Sequence, residues 1–180
     1  MRNIVLASLL SAFALMIFGF IVWATPISSP AFGSGLDVEA VQEALRNAAP
    51  ESGTYALPDP YVEDQEGFFR AHERGPIGIL HIMKEGEPAM APSTFIFGFI
   101  HNFVTAMLLA ILLQMALPAL PSYAGRVLFC TMCGVFAAVW ENFTAPIWFL
   151  TPWSFFVVRS LYTIVGMTLI GAILAKFIKQ

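Results

Sequence analysis

Charge is what this chain has least of. Asp, Glu, Lys and Arg make up 12% of its 180 residues, while 58% are hydrophobic; soluble globular domains carry roughly 25% charged and 45–50% apolar residues. That balance excludes an ordinary water-soluble fold. Cysteine is nearly missing too. Cys130 and Cys133 are the two in the chain and share one apolar run, so no disulfide can brace the polar part even in an oxidising compartment. A phosphate loop, a dinucleotide fingerprint, zinc-ligand spacing and a nucleophile motif are all lacking, which leaves catalysis without a sequence signature. Internal repeats and low-complexity tracts are absent, and the lack of matching halves argues against an inverted-repeat transporter.

What is abundant is long apolar sequence. A membrane-crossing helix needs about 20 mainly apolar residues at roughly 1.5 Å rise each, and residues 4–23, 94–117, 127–150 and 153–177 meet that requirement. The expected architecture is an all-α membrane protein: a four-transmembrane-helix bundle with a small α+β extracytoplasmic insertion between helices 1 and 2. Residues 1–24 form the first helix, 25–92 the acidic insertion and 93–180 helices 2 to 4. Arg2 and the small-residue pattern Val22-Trp23-Ala24 also suit a signal peptide. Twenty apolar residues, however, exceed the roughly 7–15 of a signal core, so this run reads as a retained helix.

Orientation follows from the charges. Arg2, Arg126, Lys176 and Lys179 stand at the two chain ends and the link between spans two and three, with no acid beside them; the insertion holds eleven of the twelve acids against Arg46, Arg70, Arg74 and Lys84, a net charge of −7. Positive residues mark the cytoplasmic side, so both termini are expected there and the insertion outside, which in a bacterium means the inner membrane and the periplasm. Trp23, Trp148 and Trp153 fall at the outer ends as an interfacial belt, with Tyr123 at the inner side. The acidic insertion is unsuited to nucleic acid or anionic headgroups and suited to a basic partner.

Within the insertion, 25–36 is rich in Pro, Ser and Gly and reads as an extended linker. Asp37 can cap a short helix on which Val38, Val41, Ala44 and Leu45 recur at helical spacing until Pro50. Residues 53–58 and 77–83 read as strands, and 59–74 as an acidic, aromatic loop. His72 and His81 with Glu73 do not have the spacing of a metal site, and Asp59, Glu63, Asp64 and Glu66 lack the alternation of a calcium loop. No metal ligand is assigned.

Against this apolar background, and apart from Lys176 at the inner end of the last run, His101, Glu141 and Arg159 are the strongly ionisable side chains in the four runs, at roughly 9–14 Å from their outer ends by helical rise. Small and polar residues recur at helical spacing on the same faces: Ser8, Ala12 and Gly19; Thr94, Gly98, His101 and Thr105; Cys130, Gly134, Ala137, Glu141 and Ala145; Arg159, Thr163 and Gly166. Small residues let helices approach closely in lipid, so the three ionisable groups are expected to face inward and meet. With Asn102 and Asn142 they form a candidate buried polar cluster. It reads first as an interhelical lock in which Arg159 pairs with Glu141. A pocket for a quinone head or lipid, and a proton path, are the alternatives. Haem ligation has little support, since no second span carries a histidine.

Cys130-Thr-Met-Cys133 spells CxxC, the spacing of reactive thiol pairs. In helix number and in placing such a pair within the membrane, the chain resembles the four-helix disulfide-generating quinone reductases. It departs from them in setting the pair toward the cytoplasmic end and in having no second cysteine pair outside. The plainer reading is two small residues that ease packing, with thiol redox chemistry as the alternative. The expectation for the whole chain is a non-catalytic accessory subunit of a larger bacterial membrane complex, respiratory or photosynthetic, that packs against other membrane subunits. The competing expectation is a small quinone- or haem-associated oxidoreductase.

Overall fold

A computed structural model describes residues 2–179. Four of its helices are long and apolar enough to cross a membrane, and a two-stranded sheet completes the regular structure. In chain order these are α1 (Arg2–Trp23), α2 (Val38–Ala48), β1 (Gly53–Leu57), α3 (Gln65–Arg74), β2 (Gly78–Ile82), α4 (Pro92–Ala116), α5 (Tyr123–Ala137), α6 (Thr144–Trp148) and α7 (Trp153–Phe177). The chain divides into two compact units: 1–32, 90–143 and 153–180 form the helical unit, and 33–89 with 144–152 form the second.

In the helical unit α7 packs against both α1 and α5, α1 also packs along α4, and α4 meets α5 at few points. The α5–α7 contact is made at glycine distance. A Cβ on Gly134 would lie 2.7 Å from Met167 Cβ, and one on Gly171 would lie 2.6 Å from Cys130 Cβ and 3.4 Å from the Val127 carbonyl oxygen. On α1, Ala7, Ser8, Ser11 and Ala12 are fully buried, and Leu109, Leu113, Ile170 and Leu174 fill the interior. Phe18 stacks on Tyr162 with ring centres 5.0 Å apart, and Trp23 meets the same ring edge-on at 5.5 Å.

One sequence expectation in this unit is corrected, and the kink that Pro146 leads one to expect in the third span is present. Residues 26–31, expected within a linker, form a 3-10 turn (Pro26–Ala31) whose Ser28 and Ala31 are buried. Pro26 presets the first turn, the Thr25 hydroxyl accepts from the Ile27 amide at 3.4 Å, and Phe32 packs on Phe155. The third span is interrupted: α5 passes into a π turn (Ala138–Asn142) before α6. Pro146 supplies the cause. It has no N–H to give the Asn142 carbonyl four residues earlier, and its ring would clash with that oxygen in a regular helix.

At the other end of α5, the Ser122 hydroxyl caps the Gly125 amide at 3.0 Å. Arg126, the basic residue of the link between spans two and three, is buried and donates to the Leu120 and Pro121 carbonyls at 3.2 and 3.0 Å. Its guanidinium thus satisfies backbone oxygens that a proline-rich turn leaves without amide donors.

In the second unit, Asp37 caps α2 through the Ala40 amide at 3.1 Å. Strands β1 and β2 pair antiparallel with Gly53 opposite Ile82 and Leu57 opposite Gly78. The expected loop over 59–74 contains α3 instead. Asp64 accepts from the Gly67 amide at 2.8 Å as its N-cap, and Gly75 ends it with φ of 65°. Gly67 in the first turn masks that helix in the sequence. Trp148, Phe149 and Leu150 line a 260 Å³ cavity together with residues of α3 and the sheet, so part of the third apolar run backs a hairpin that would be marginal alone.

Gly171→Ala is expected to destabilise the helical unit by about 1–3 kcal/mol through overpacking. Cys130→Gly in the same chain removes the opposing Cβ, so the double variant should be more stable than the two single effects sum to. Thermal unfolding in detergent of the four chains of this cycle checks it.

Candidate functional site

The interior of the helical unit accepts neutral polar groups, and of the charged ones it takes in Arg126, held by backbone carbonyls, while Glu141 and Arg159 are turned out. Along the third span the buried residues are Arg126, Cys130, Gly134, Ala138, Asn142 and Pro146, a spacing of four. Successive helical residues point about 100° apart, so a stripe that runs through Ala138 and not Ala137 brings Asn142 inside and leaves Glu141 exposed. The same one-residue difference recurs on α7, where Ser160 is buried and Arg159 exposed. On α4, Asn102 is half-buried and His101 exposed.

The inward lock is therefore corrected. Among the described residues the ion pairs are those of Arg70 with Asp64 and Glu66, both on the surface of the second unit, and Arg159 is not joined to Glu141. The physical reason is the cost of burial. An ionised pair repays its desolvation only with near-ideal geometry and full hydrogen bonding, whereas a serine on a helix satisfies itself: Ser160 donates to the Phe156 carbonyl at 2.7 Å. Asn142 is less content. It is 2% exposed, and its Oδ1 lacks a hydrogen-bond partner.

The structure does bring two of the five cluster residues together. His101 and Asn102 line a cavity of about 290 Å³ with Thr105, Tyr162, Thr163 and Gly166. Thr105 and Met167 also line a second cavity of about 510 Å³, walled by Leu108 and Leu112 of α4 and by Phe129, Met132 and Phe136 of α5. Sharing these two residues, the cavities adjoin along α4 as one trough: in the first α4 faces α7 and Leu15 of α1, and in the second it faces α5 over Met167 of α7. It is polar at the His101 end and apolar below. Thr105 and Thr163 lay on the sequence stripes, but their facing one another across a gap carried no sequence signal; Tyr162 was missed.

The cysteines take separate places. Cys130 is fully buried against Gly171, the role of a small packing residue, while Cys133 is half-buried and lines the apolar cavity. Both are free thiols. In the second unit His81 Nδ1 lies 3.0 Å from the Thr54 hydroxyl, and His72 packs on Phe68. No group of three His, Cys, Asp or Glu side chains that could hold a metal ion occurs among the described residues.

No protein-family model, curated protein or solved structure matches this chain. What the site can do is argued from its chemistry.

Inside and outside make opposite demands on neighbouring positions. Asn142→Asp places a carboxyl where an amide is already short of partners and should cost about 3–5 kcal/mol, the scale of a stranded buried charge. Glu141→Gln, on the exposed side, should change stability by about 0.5 kcal/mol or less. Denaturant unfolding of the two purified variants compares them.

Proposed function

We infer that this chain is a non-catalytic subunit of a larger membrane assembly, a four-helix membrane bundle that docks sideways on other membrane-embedded polypeptides. The observation that carries the reading is the outward placement of Glu141 and Arg159 on helices long and apolar enough to span a bilayer. A charged side chain within a span costs about 3 kcal/mol on insertion scales and normally finds a protein partner or a watered cavity. Among the described residues neither Glu141 nor Arg159 has an ion pair. A partner helix carrying a cation opposite Glu141 and a carboxylate opposite Arg159 satisfies both.

The broad apolar surface beside them supports the same reading. Val139 and Val157, each two residues from one of these charges, are exposed. Outside the membrane, a domain of net charge −7 suits a basic partner surface and speeds its encounter. Neither α2 nor α3 buries a single residue, as expected of elements whose apolar faces await a partner.

The test is extraction in a mild detergent followed by native mass measurement. The account expects a species well above the 19.7 kDa chain that contains at least one different polypeptide. In Glu141→Gln/Arg159→Gln that polypeptide should be lost while the released chain keeps its helix content. Recovery of the monomer, or of a homo-oligomer alone, contradicts it.

A further inference from the structure

The trough along α4 is built like a ligand site. At its upper end His101, Asn102 and Thr105 present an imidazole, an amide and a hydroxyl, and among the described residues none of the three is hydrogen-bonded to another protein group. Polar groups left this way in an apolar surround cost free energy that a bound head group returns. Below them the lining is hydrocarbon, aromatic ring and thioether, and its volume of about 510 Å³ falls within the roughly 300–1,000 Å³ of small-molecule sites.

We propose that this trough binds a membrane-dissolved lipid with a neutral, carbonyl-bearing head ring and a long apolar tail, the chemical class of the isoprenoid quinones. The head lies at His101, Asn102 and Thr105, whose N–H and O–H groups donate to its carbonyl oxygens, and the tail runs along Leu108, Met132 and Phe136. An anionic phospholipid fits less well, because no Lys or Arg lines either cavity and a phosphate head calls for fixed cations. Cys133 opens on the tail end, away from the head. Binding is the whole of the claim, and no electron or proton is moved in it.

The test measures isoprenoid quinone bound per full-length chain, titrated in phosphatidylcholine nanodiscs and quantified by extraction after gel filtration. Saturation near one per chain is expected. His101→Leu/Asn102→Leu at the head and Met132→Trp in the trough should each lower affinity tenfold or more with unchanged helix content. Leu161→Trp, on the exposed side of α7, should not. Phosphatidylglycerol should fail to displace the quinone. Absence of saturable binding, equal binding by all variants, or displacement by phosphatidylglycerol overturns the proposal. None of these outcomes depends on a partner polypeptide, so they stand apart from the outcome of the docking test.

Discussion

The approach of α5 to α7 at glycine distance is the constraint on which the rest of the helical unit depends. Helices in an apolar solvent gain nothing by hiding apolar surface, and van der Waals contact must hold them. Gly134 against Met167 and Gly171 against Cys130 leave no room for another carbon, so the two helices have one rotation and one register. With that rotation Cys130, Gly134, Ala138 and Asn142 face the contact, Ser160 lies inside, and Glu141 and Arg159 point away. Because α5 is held on α7 while α4 is held on α1, α4 and α5 are left with a gap between them, and the apolar end of the trough is that gap.

The energetics run in one direction. Apart from Arg126, whose guanidinium is held by backbone carbonyls, small and neutral residues make the polar part of the interior, and Glu141 and Arg159 are exported to a surface where another molecule can meet them. Placing Glu141 inside would strand a carboxylate among methyl groups; placing it outside defers its solvation to whatever lies beside the chain. A unit built this way is complete in its packing and incomplete in its electrostatics. That combination suits a subunit better than a self-contained enzyme. The second unit has a similar character, with a two-stranded sheet, two helices without a buried residue, and an acidic surface.

Much of the fold was legible because long apolar runs have a single physical meaning. The four spans, the Asp37 cap and both strands follow from run length, capping chemistry and β-branched composition. Helix α3 was not legible, since Gly67 in its first turn and a crowd of charges resemble loop chemistry; only the Asp64 side chain reaching the Gly67 amide reveals a helix. At the candidate site the sequence pointed to the wrong face. A stripe traced through Ala137 and one traced through Ala138 differ by one residue, and the π turn that follows shifts the phase again. Polar residues at the correct helical spacing therefore pointed inward on paper, although their neighbours Asn142 and Ser160 are the ones buried. The trough was beyond reach, because it depends on which helices fail to touch.

The central claim is that position 141 and position 159 look outward to another polypeptide. Site-specific photo-crosslinking in native membranes tests it most directly, with a benzophenone amino acid placed at either position. The account predicts a discrete adduct with a different membrane polypeptide from both positions, and none from position 160 on the buried side. Crosslinks confined to the chain's own helices would contradict it.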